Sequence, residues 1–156
     1  PKQIEDLTQR YLRDPKRVSV TPAATTAERV QQGVIHVAKP EKLRLLEALL
    51  RDPSLDRALV FVRTKHGADA VVRKLLAKGL SVAAIHGNKS QNQRVKALDA
   101  FRKGTCPVLV ATDIAARGID IDGVSHVFNF EMPDVADQYV NRIGRTARAG
   151  KEGLAV

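Results

Sequence analysis

The sequence predicts an α/β fold, in which an open parallel sheet carries helices on both faces. Short apolar segments alternate with amphipathic segments of ten or so residues, the usual order of strands and helices in a parallel sheet. One segment, Ala58–Val62 (ALVFV), is apolar throughout, as expected for a strand buried on both faces. The chain of 156 residues suits one compact domain.

The first part of the chain predicts a helix, a short strand and a linker. Apolar residues recur at helical spacing as far as Tyr11, with acidic residues early and basic residues late in the segment. Asp14-Pro15 should end this helix, since proline disfavours a helical residue before it. Arg17–Val20 predicts a short strand, and residues 21–33, which begin with small and polar residues, predict a linker.

The rest of the chain predicts alternating strands and helices with recognisable boundaries. Pro40 suits a first helical turn, Ser90 and Gln93 form a capping-box pattern, and Gly79 and Gly104 suit helix ends. The final apolar residues, GLAV, indicate a last strand. The predicted strands are Val34–Val37, Ala58–Val62, Ser81–Ile85, Val108–Ala111 and Val124–Phe130, and the predicted helices are Pro40–Arg51, Ala68–Lys78, Ser90–Lys103 and Asp134–Ile143.

The composition indicates a polyanionic partner and excludes some classes of site. With 26 Lys and Arg against 17 Asp and Glu, the net charge is +9, which suits nucleic acid, nucleotide phosphates or an anionic membrane surface. A basic surface without such a partner is the alternative. No apolar run approaches the roughly 18 residues of a membrane span. Cys106 is the single cysteine, so a reducing cytoplasmic location is expected, and the scattered His residues predict no metal site.

The sequence lacks the usual triphosphate-binding loops. Neither G-x-x-x-x-G-K-[ST] nor G-x-G-x-x-G occurs, and the nearest match, Gly87-Asn88-Lys89-Ser90, has a residue between the glycine and the lysine. The chain alone is therefore not expected to hold ATP in the usual way, and a self-sufficient hydrolase is not expected.

Polar and basic residues follow the predicted strands directly. Ligands of open α/β folds bind beyond the carboxyl ends of the strands, so these residues are candidates for an anion site. Arg63, Thr64 and Lys65 follow the first buried strand, and His86 and Gly87, Thr112 and Asp113, and Glu131 and Met132 follow the later strands. Three of these four strand ends carry small, polar or basic groups able to meet an anion.

Three arginines, Arg142, Arg145 and Arg148, recur every three residues near the end of the chain. This spacing puts them on one helical face, where like charges repel unless an anion is bound. Gly144 and Gly150 could let the backbone leave the helix and bring the arginines forward. The alternatives are a solvated basic face or salt bridges to acidic residues elsewhere.

Several polar residues have both a functional and a structural interpretation. Thr112 could contact a phosphate or cap a short helical turn, and Asp113 is expected to be an N-cap. Asp120 could bind a ribose hydroxyl or pair with Arg117. Arg94 lies in a first helical turn, where the helix dipole disfavours a cation, so an anionic ligand or a neighbouring carboxylate is expected.

Four segments resemble motifs of the DEAD-box ATP-dependent RNA helicases, in the family's order. They are Ala58–Lys65 (fourth motif), Gln91–Arg94 (Q-x-x-R element), Val108–Ile121 (fifth motif) and Tyr139–Gly150 (sixth motif). The resemblance, nearest the bacterial RhlE-like branch, implies that residues 34–156 are a second RecA-like domain truncated at its C-terminal end. Residues 1–20 resemble the end of the first RecA-like domain, so the chain is expected to be part of a longer protein.

The resemblance also implies roles for single residues. Arg145 and Arg148 would be arginine fingers that reach the γ-phosphate of ATP, which the first domain would hold with Mg²⁺. On the nucleotide side, Arg142 would help join the domains, and Asp120 and Gly118 would lie at the ATP. The residues implied to hold RNA phosphates and sugars, without reading the bases, are Thr64, Gly67, Arg94, Thr112 and Gly118.

Two residues depart from the family pattern, with Asn141 where histidine is usual and Ala147 where glycine is common. The implied function is RNA-stimulated ATP hydrolysis coupled to local strand separation, with the isolated chain inactive. A non-catalytic RNA-binding scaffold and half of a DNA translocase are the rival interpretations. The finger pair favours the enzyme, because a scaffold needs neither arginine.

Overall fold

The computed structural model describes residues 2–16, 29–117, 123–147 and 152–156. Its helices are α1 (Lys2–Tyr11), α2 (Lys42–Leu50, preceded by a 3₁₀ turn at Lys39–Glu41), α3 (Lys65–Leu76), α4 (Gln91–Arg102), α5 (Asp113–Ala116) and α6 (Ala136–Ile143). Its strands are β1 (Val30–Gln32), β2 (Ala58–Phe61), β3 (Val82–Ile85), β4 (Val108–Ala111), β5 (His126–Asn129) and β6 (Gly153–Ala155). The six strands form one sheet in the order β1-β6-β5-β2-β4-β3, with every pairing parallel. The predicted α/β class is confirmed.

The core lies in two layers, one on each face of the sheet. Leu59 and Phe61 of β2 face the layer that contains Phe101 of α4, and Val60 faces the layer that contains Leu75 of α3. Alternate residues of a strand point to opposite faces, which is why a sheet covered on both sides requires continuously apolar strands. Each fully buried Leu or Phe contributes about 1.5–3 kcal/mol to folding.

Most local boundary predictions are confirmed. The Ser90 hydroxyl accepts a hydrogen bond from the Gln93 N–H, and the Gln93 side chain accepts one from the Ser90 N–H, which completes the capping box. Gly79 and Gly104 have φ of +77° and +73°, the left-handed conformation that glycine adopts without steric cost. Helix α3 begins three residues before the predicted start because Thr64 caps it.

The predicted strand at Val34–Val37 is wrong. The edge strand is instead β1, in which Val30 pairs with Gly153 of β6, so residues assigned to the linker belong to the sheet. Val34 is 81 % exposed and follows the end of this pairing. An edge strand needs only one buried side chain, so its position depends on the register with β6 rather than on an apolar run. The predicted last strand is confirmed as β6.

The predicted N-cap at Asp134 is also wrong. Helix α6 begins at Ala136 after Val135, with no side-chain cap hydrogen bond. The Asp134 carboxylate instead lies 2.9 Å from the guanidinium of Arg63. The Asp134 carboxylate, which the sequence pattern assigned to the start of α6, therefore forms an ion pair with a neighbouring loop instead.

Some predictions lie outside the described residues. These are the strand Arg17–Val20, most of the linker, and the candidate residues Gly118, Asp120, Arg148 and Gly150. Within the described ranges, no helix is long and apolar enough to cross a membrane. The same ranges contain no group of three or more His, Cys, Asp or Glu residues arranged to hold a metal ion.

Candidate functional site

The loops after three neighbouring strands meet at the carboxyl edge of the sheet. Strands β2, β4 and β3 are adjacent, so the chain segments that follow them are brought together. The Lys65 ammonium donates to the Asn88 side-chain oxygen at 2.9 Å, which joins the loops after β2 and β3. The Thr112 N–H donates to the Ile85 carbonyl at 3.3 Å, which joins β4 to β3. The expected cluster of polar residues at this edge is therefore formed.

Thr64 and Gly67 form the first turn of α3. The Thr64 hydroxyl accepts a hydrogen bond from the Gly67 N–H at 3.0 Å. A Cβ atom at position 67 would lie 3.0 Å from that hydroxyl, so glycine leaves room for the cap. Both candidate RNA-binding residues thus lie at a helix N-terminus, where backbone N–H groups and the dipole attract anions.

Arg94 lies in the first turn of α4, as predicted. Its Nε is buried and has no hydrogen-bond partner among the described residues. The expected neighbouring carboxylate is therefore not seen at this atom. An unsatisfied buried donor costs about 1–3 kcal/mol, so a rearrangement of the side chain that gives this Nε an acceptor would be favourable.

A buried histidine, which sequence reasoning gave no role beyond its place after a strand, holds the loop before α4. His86 is 1 % exposed, and its Nε2 lies 3.0 Å from Oδ1 of Asp69 on α3. The Asn88 N–H lies 3.3 Å from His86 Nδ1, and the Lys89 ammonium lies 2.9 Å from the same Asp69 oxygen. Hydrogen bonds from Lys89 and then His86 lower the pKa of Asp69 below its ordinary value. The loop that leads to Ser90 is thereby fixed to α3.

Arg142 lies in a buried network rather than on an open basic face. It is 2 % exposed, and its Nε and Nη2 donate to the two Asp113 carboxylate oxygens at 2.6 and 2.8 Å. Its Nη1 donates to Asn129 Oδ1 at 3.3 Å and to the Glu131 carbonyl at 2.6 Å. The guanidinium also lies over the Phe61 ring, 5.0 Å from the centroid. The salt-bridge alternative therefore holds for Arg142, whose donors are mostly used within the domain.

The expected N-cap role of Asp113 is wrong for the same reason. Asp113 is the first residue of α5, and Thr112 occupies the cap position without a side-chain cap hydrogen bond. A helix of four residues gains little from a cap. A bidentate pair with a buried arginine is the stronger interaction, so it determines where the carboxylate points.

Arg145 lies beyond the end of α6, where it lines a pocket. The Arg145 Nε donates to the Asn141 carbonyl at 3.3 Å. The helix ends at Ile143, its C-cap Gly144 has φ of −67°, and the left-handed residue is Ala147, with φ of +56°. The backbone leaves the helix at Gly144, as predicted. The left-handed conformation is adopted by Ala147, at the position where glycine is common in the motif that this segment resembles. The pocket is lined by Phe61, Asp113, Ile114, Ala116, Arg117, Gln138, Asn141, Arg142 and Arg145.

Comparison with known families and proteins gives consistent matches. Residues 41–150 match the family described as "Helicase conserved C-terminal domain". The chain is 46% identical over 155 residues to DEAD-box ATP-dependent RNA helicase 21 of Oryza sativa, covering 99% of this chain and 21% of that protein. It is 42% identical over 156 residues to DEAD-box ATP-dependent RNA helicase CshA of Bacillus subtilis, covering 100% of this chain and 32% of that protein. The chain therefore spans about a fifth to a third of the length of these relatives.

Solved structures show the same similarity. The E. coli DEAD-box protein SrmB, solved with regulator of ribonuclease activity A, is 46% identical with a TM-score of 0.71, covering 74% of this chain and 68% of that one. A DEAD box protein from Methanococcus jannaschii is 33% identical with a TM-score of 0.76, covering 99% and 41%. S. cerevisiae Dbp5, solved with RNA and ADP BeF3, is 27% identical with a TM-score of 0.76, covering 99% and 41%.

Proposed function

Because the chain belongs to the DEAD-box RNA helicase family, as its conserved C-terminal domain with a RecA-like fold, we propose that it is the second half of an ATP-dependent RNA helicase. In this proposal the domain completes an ATP site on a first RecA-like domain and supplies part of an RNA-backbone surface. The observation that carries the proposal is the pocket at Arg145, which lies beside a sheet edge with two helix N-termini.

On the nucleotide side, Arg145 is the residue proposed to reach the γ-phosphate. Arg142 is already paired with Asp113 and serves to fix the end of α6. Arg148 is proposed as a second finger, and Asp120, Gly118 and Arg142 as neighbours of the ATP on this domain. An arginine finger is worth roughly 10³–10⁵ in rate in related phosphoryl transfers.

Magnesium and the triphosphate are proposed to be held mainly by the first domain. The described residues offer a cationic pocket for phosphate oxygens but no acidic cluster for a metal ion. When bound, Mg²⁺ neutralises charge on the phosphates. Isolated, this chain should bind ATP weakly and not hydrolyse it, and rapid turnover by the pure chain would contradict this expectation.

On the RNA side, the sheet edge is proposed to bind phosphates and 2′-hydroxyls. Thr64 and Gly67 lie at the N-terminus of α3, Arg94 lies in the first turn of α4, and Thr112 lies on the neighbouring loop. Gly118 is proposed to join them. With aromatics at only 4%, the chain offers few platforms for stacking bases, so sequence-independent binding is expected. The similar structure of S. cerevisiae Dbp5 was solved with RNA, which supports RNA as the ligand proposed for this domain.

The experiment that tests the proposal is ATP hydrolysis by the full-length protein with RNA, with DNA of the same length, and with neither. We expect hydrolysis to rise with RNA and to respond much less to DNA. Stimulation by DNA alone would favour the DNA translocase, and no nucleic-acid response would favour a non-catalytic RNA-binding scaffold.

The single, buried cysteine Cys106 suits a cytoplasmic location, which we propose for the protein.

A further inference from the structure

Glu131 connects three separate parts of the site through its own hydrogen-bonding groups. Its N–H donates to the Phe61 carbonyl at 3.2 Å, at the end of β2. Its carboxylate accepts a hydrogen bond from the backbone N–H of Arg63 at 2.6 Å. Its carbonyl accepts from Nη1 of Arg142 at 2.6 Å. The residue therefore ties the exit of β2 to the last turn of α6.

On one side, Glu131 fixes the chain next to the candidate RNA contacts. Arg63 directly precedes Thr64, which caps α3. A hydrogen bond from a backbone N–H to a carboxylate is short and roughly twice as strong as a neutral one. The Arg63 side chain makes two further contacts to the same segment, to the Met132 carbonyl at 3.0 Å and to Asp134 at 2.9 Å.

On the other side, Glu131 fixes the anchor of the candidate finger. Arg142 is buried and immobilised by Asp113 as well as by the Glu131 carbonyl. It lies in the last turn of α6, three residues before Arg145, which follows the end of that helix. A shift of the backbone at Glu131 would therefore be transmitted to the helix end that presents Arg145.

We propose that Glu131 is a positioning residue that couples the RNA-facing loop after β2 to the arginine at the ATP-facing pocket. The inference rests on the proposed function, because it assigns the route by which RNA stimulates ATP hydrolysis. RNA phosphates that draw the Thr64 turn into place also fix Arg63. The Glu131 carboxylate, which accepts from the Arg63 N–H, then fixes the Glu131 backbone, whose carbonyl holds Arg142. A purely structural role would instead lower stability and all activities together.

The test compares variants of the full-length protein with polyuridine RNA as activator. Glu131→Ala removes the carboxylate that accepts from Arg63 but keeps the backbone carbonyl that accepts from Arg142. We expect the ratio of kcat with saturating RNA to kcat without RNA to fall about tenfold, within the usual range of coupling between sites. Glu131→Gln keeps a side-chain oxygen acceptor and should restore most of the ratio.

Asp134→Ala is the matched control, because it removes a contact to the same Arg63 without touching Arg142. We expect it to keep the wild-type ratio. The inference would be overturned by a wild-type ratio in Glu131→Ala, by an equal loss in Asp134→Ala, or by a parallel fall of both rates with a lowered Tm. A wild-type protein that hydrolyses ATP without any response to RNA would instead overturn the proposed function, and the coupling with it.

Discussion

At the scale of single residues, the pair Asp113–Arg142 has the largest expected energetic effect in the site. The guanidinium is 2 % exposed and its partner carboxylate 31 % exposed. Two charges removed from water are costly unless they are paired and hydrogen-bonded. Both conditions are met, since Asn129 and the Glu131 carbonyl accept from the remaining Arg142 nitrogen.

We predict that Asp113→Ala destabilises the domain by about 3–5 kcal/mol, because it leaves a buried guanidinium without its counter-charge. The free energy of unfolding from urea denaturation measures this effect. Asp134→Ala removes an ion pair that is exposed on both sides and should cost about 1 kcal/mol or less. Equal effects of the two substitutions would contradict the assigned importance of the buried pair.

The same residues mark the limit of prediction from sequence. The three-residue spacing predicts a common helical face for Arg142 and Arg145, but α6 ends at Ile143, so their environments differ. Nothing in the sequence near Asp113 indicates that it pairs with Arg142, which lies 29 positions later in the chain. The motifs indicate candidate site residues, whereas the contacts made by Arg142, Asp113 and His86 join distant segments of the chain.

At the scale of elements, α4 depends on its capping box and presents Arg94. We predict that Ser90→Ala destabilises the domain by about 1 kcal/mol, because the Gln93 N–H loses its acceptor. Thermal or urea denaturation can measure this. Ser90→Thr keeps a hydroxyl and should cost much less, so equal losses in the two variants would contradict the capping role.

Elements with local signals were predictable, and elements set by pairing were not. The capping box of α4 and the glycine ends at Gly79 and Gly104 involve neighbouring residues only. Strand β1 has one buried residue, Val30, and owes its place to β6 more than 120 positions later. The start of α6 differs from the prediction for a similar reason, because the expected cap residue, Asp134, pairs with Arg63 in a loop distant in the sequence.

At the scale of the whole molecule, the net charge of +9 and the polar edge of the sheet give a consistent account of a polyanion-binding domain. The fold class followed from alternation and from one continuously apolar strand. The cluster at the carboxyl edge followed from topology. The pocket at Arg145 did not, because it is formed by α5 and α6, whose mutual position the sequence does not indicate.

We predict that Arg94→Ala in the full-length protein lowers the slope of log Kd for RNA against log salt concentration by about 1, since one phosphate contact is lost. Base preference should stay flat. Arg44→Ala removes the same charge from an exposed position on α2 and should leave the slope unchanged. An unchanged slope for Arg94→Ala, or a marked sequence preference in a selection from random RNA, would contradict backbone recognition at this edge.

The most direct test of the central claim, that this domain supplies an arginine to ATP on another domain, is hydrolysis by the full-length protein carrying Arg145→Ala. With RNA present, we predict a fall in kcat of roughly 10³-fold or more, with RNA affinity retained. Arg145→Lys keeps the charge but not the planar fork, so it should recover only part of the rate. RNA-stimulated hydrolysis at the wild-type rate by Arg145→Ala would contradict the claim.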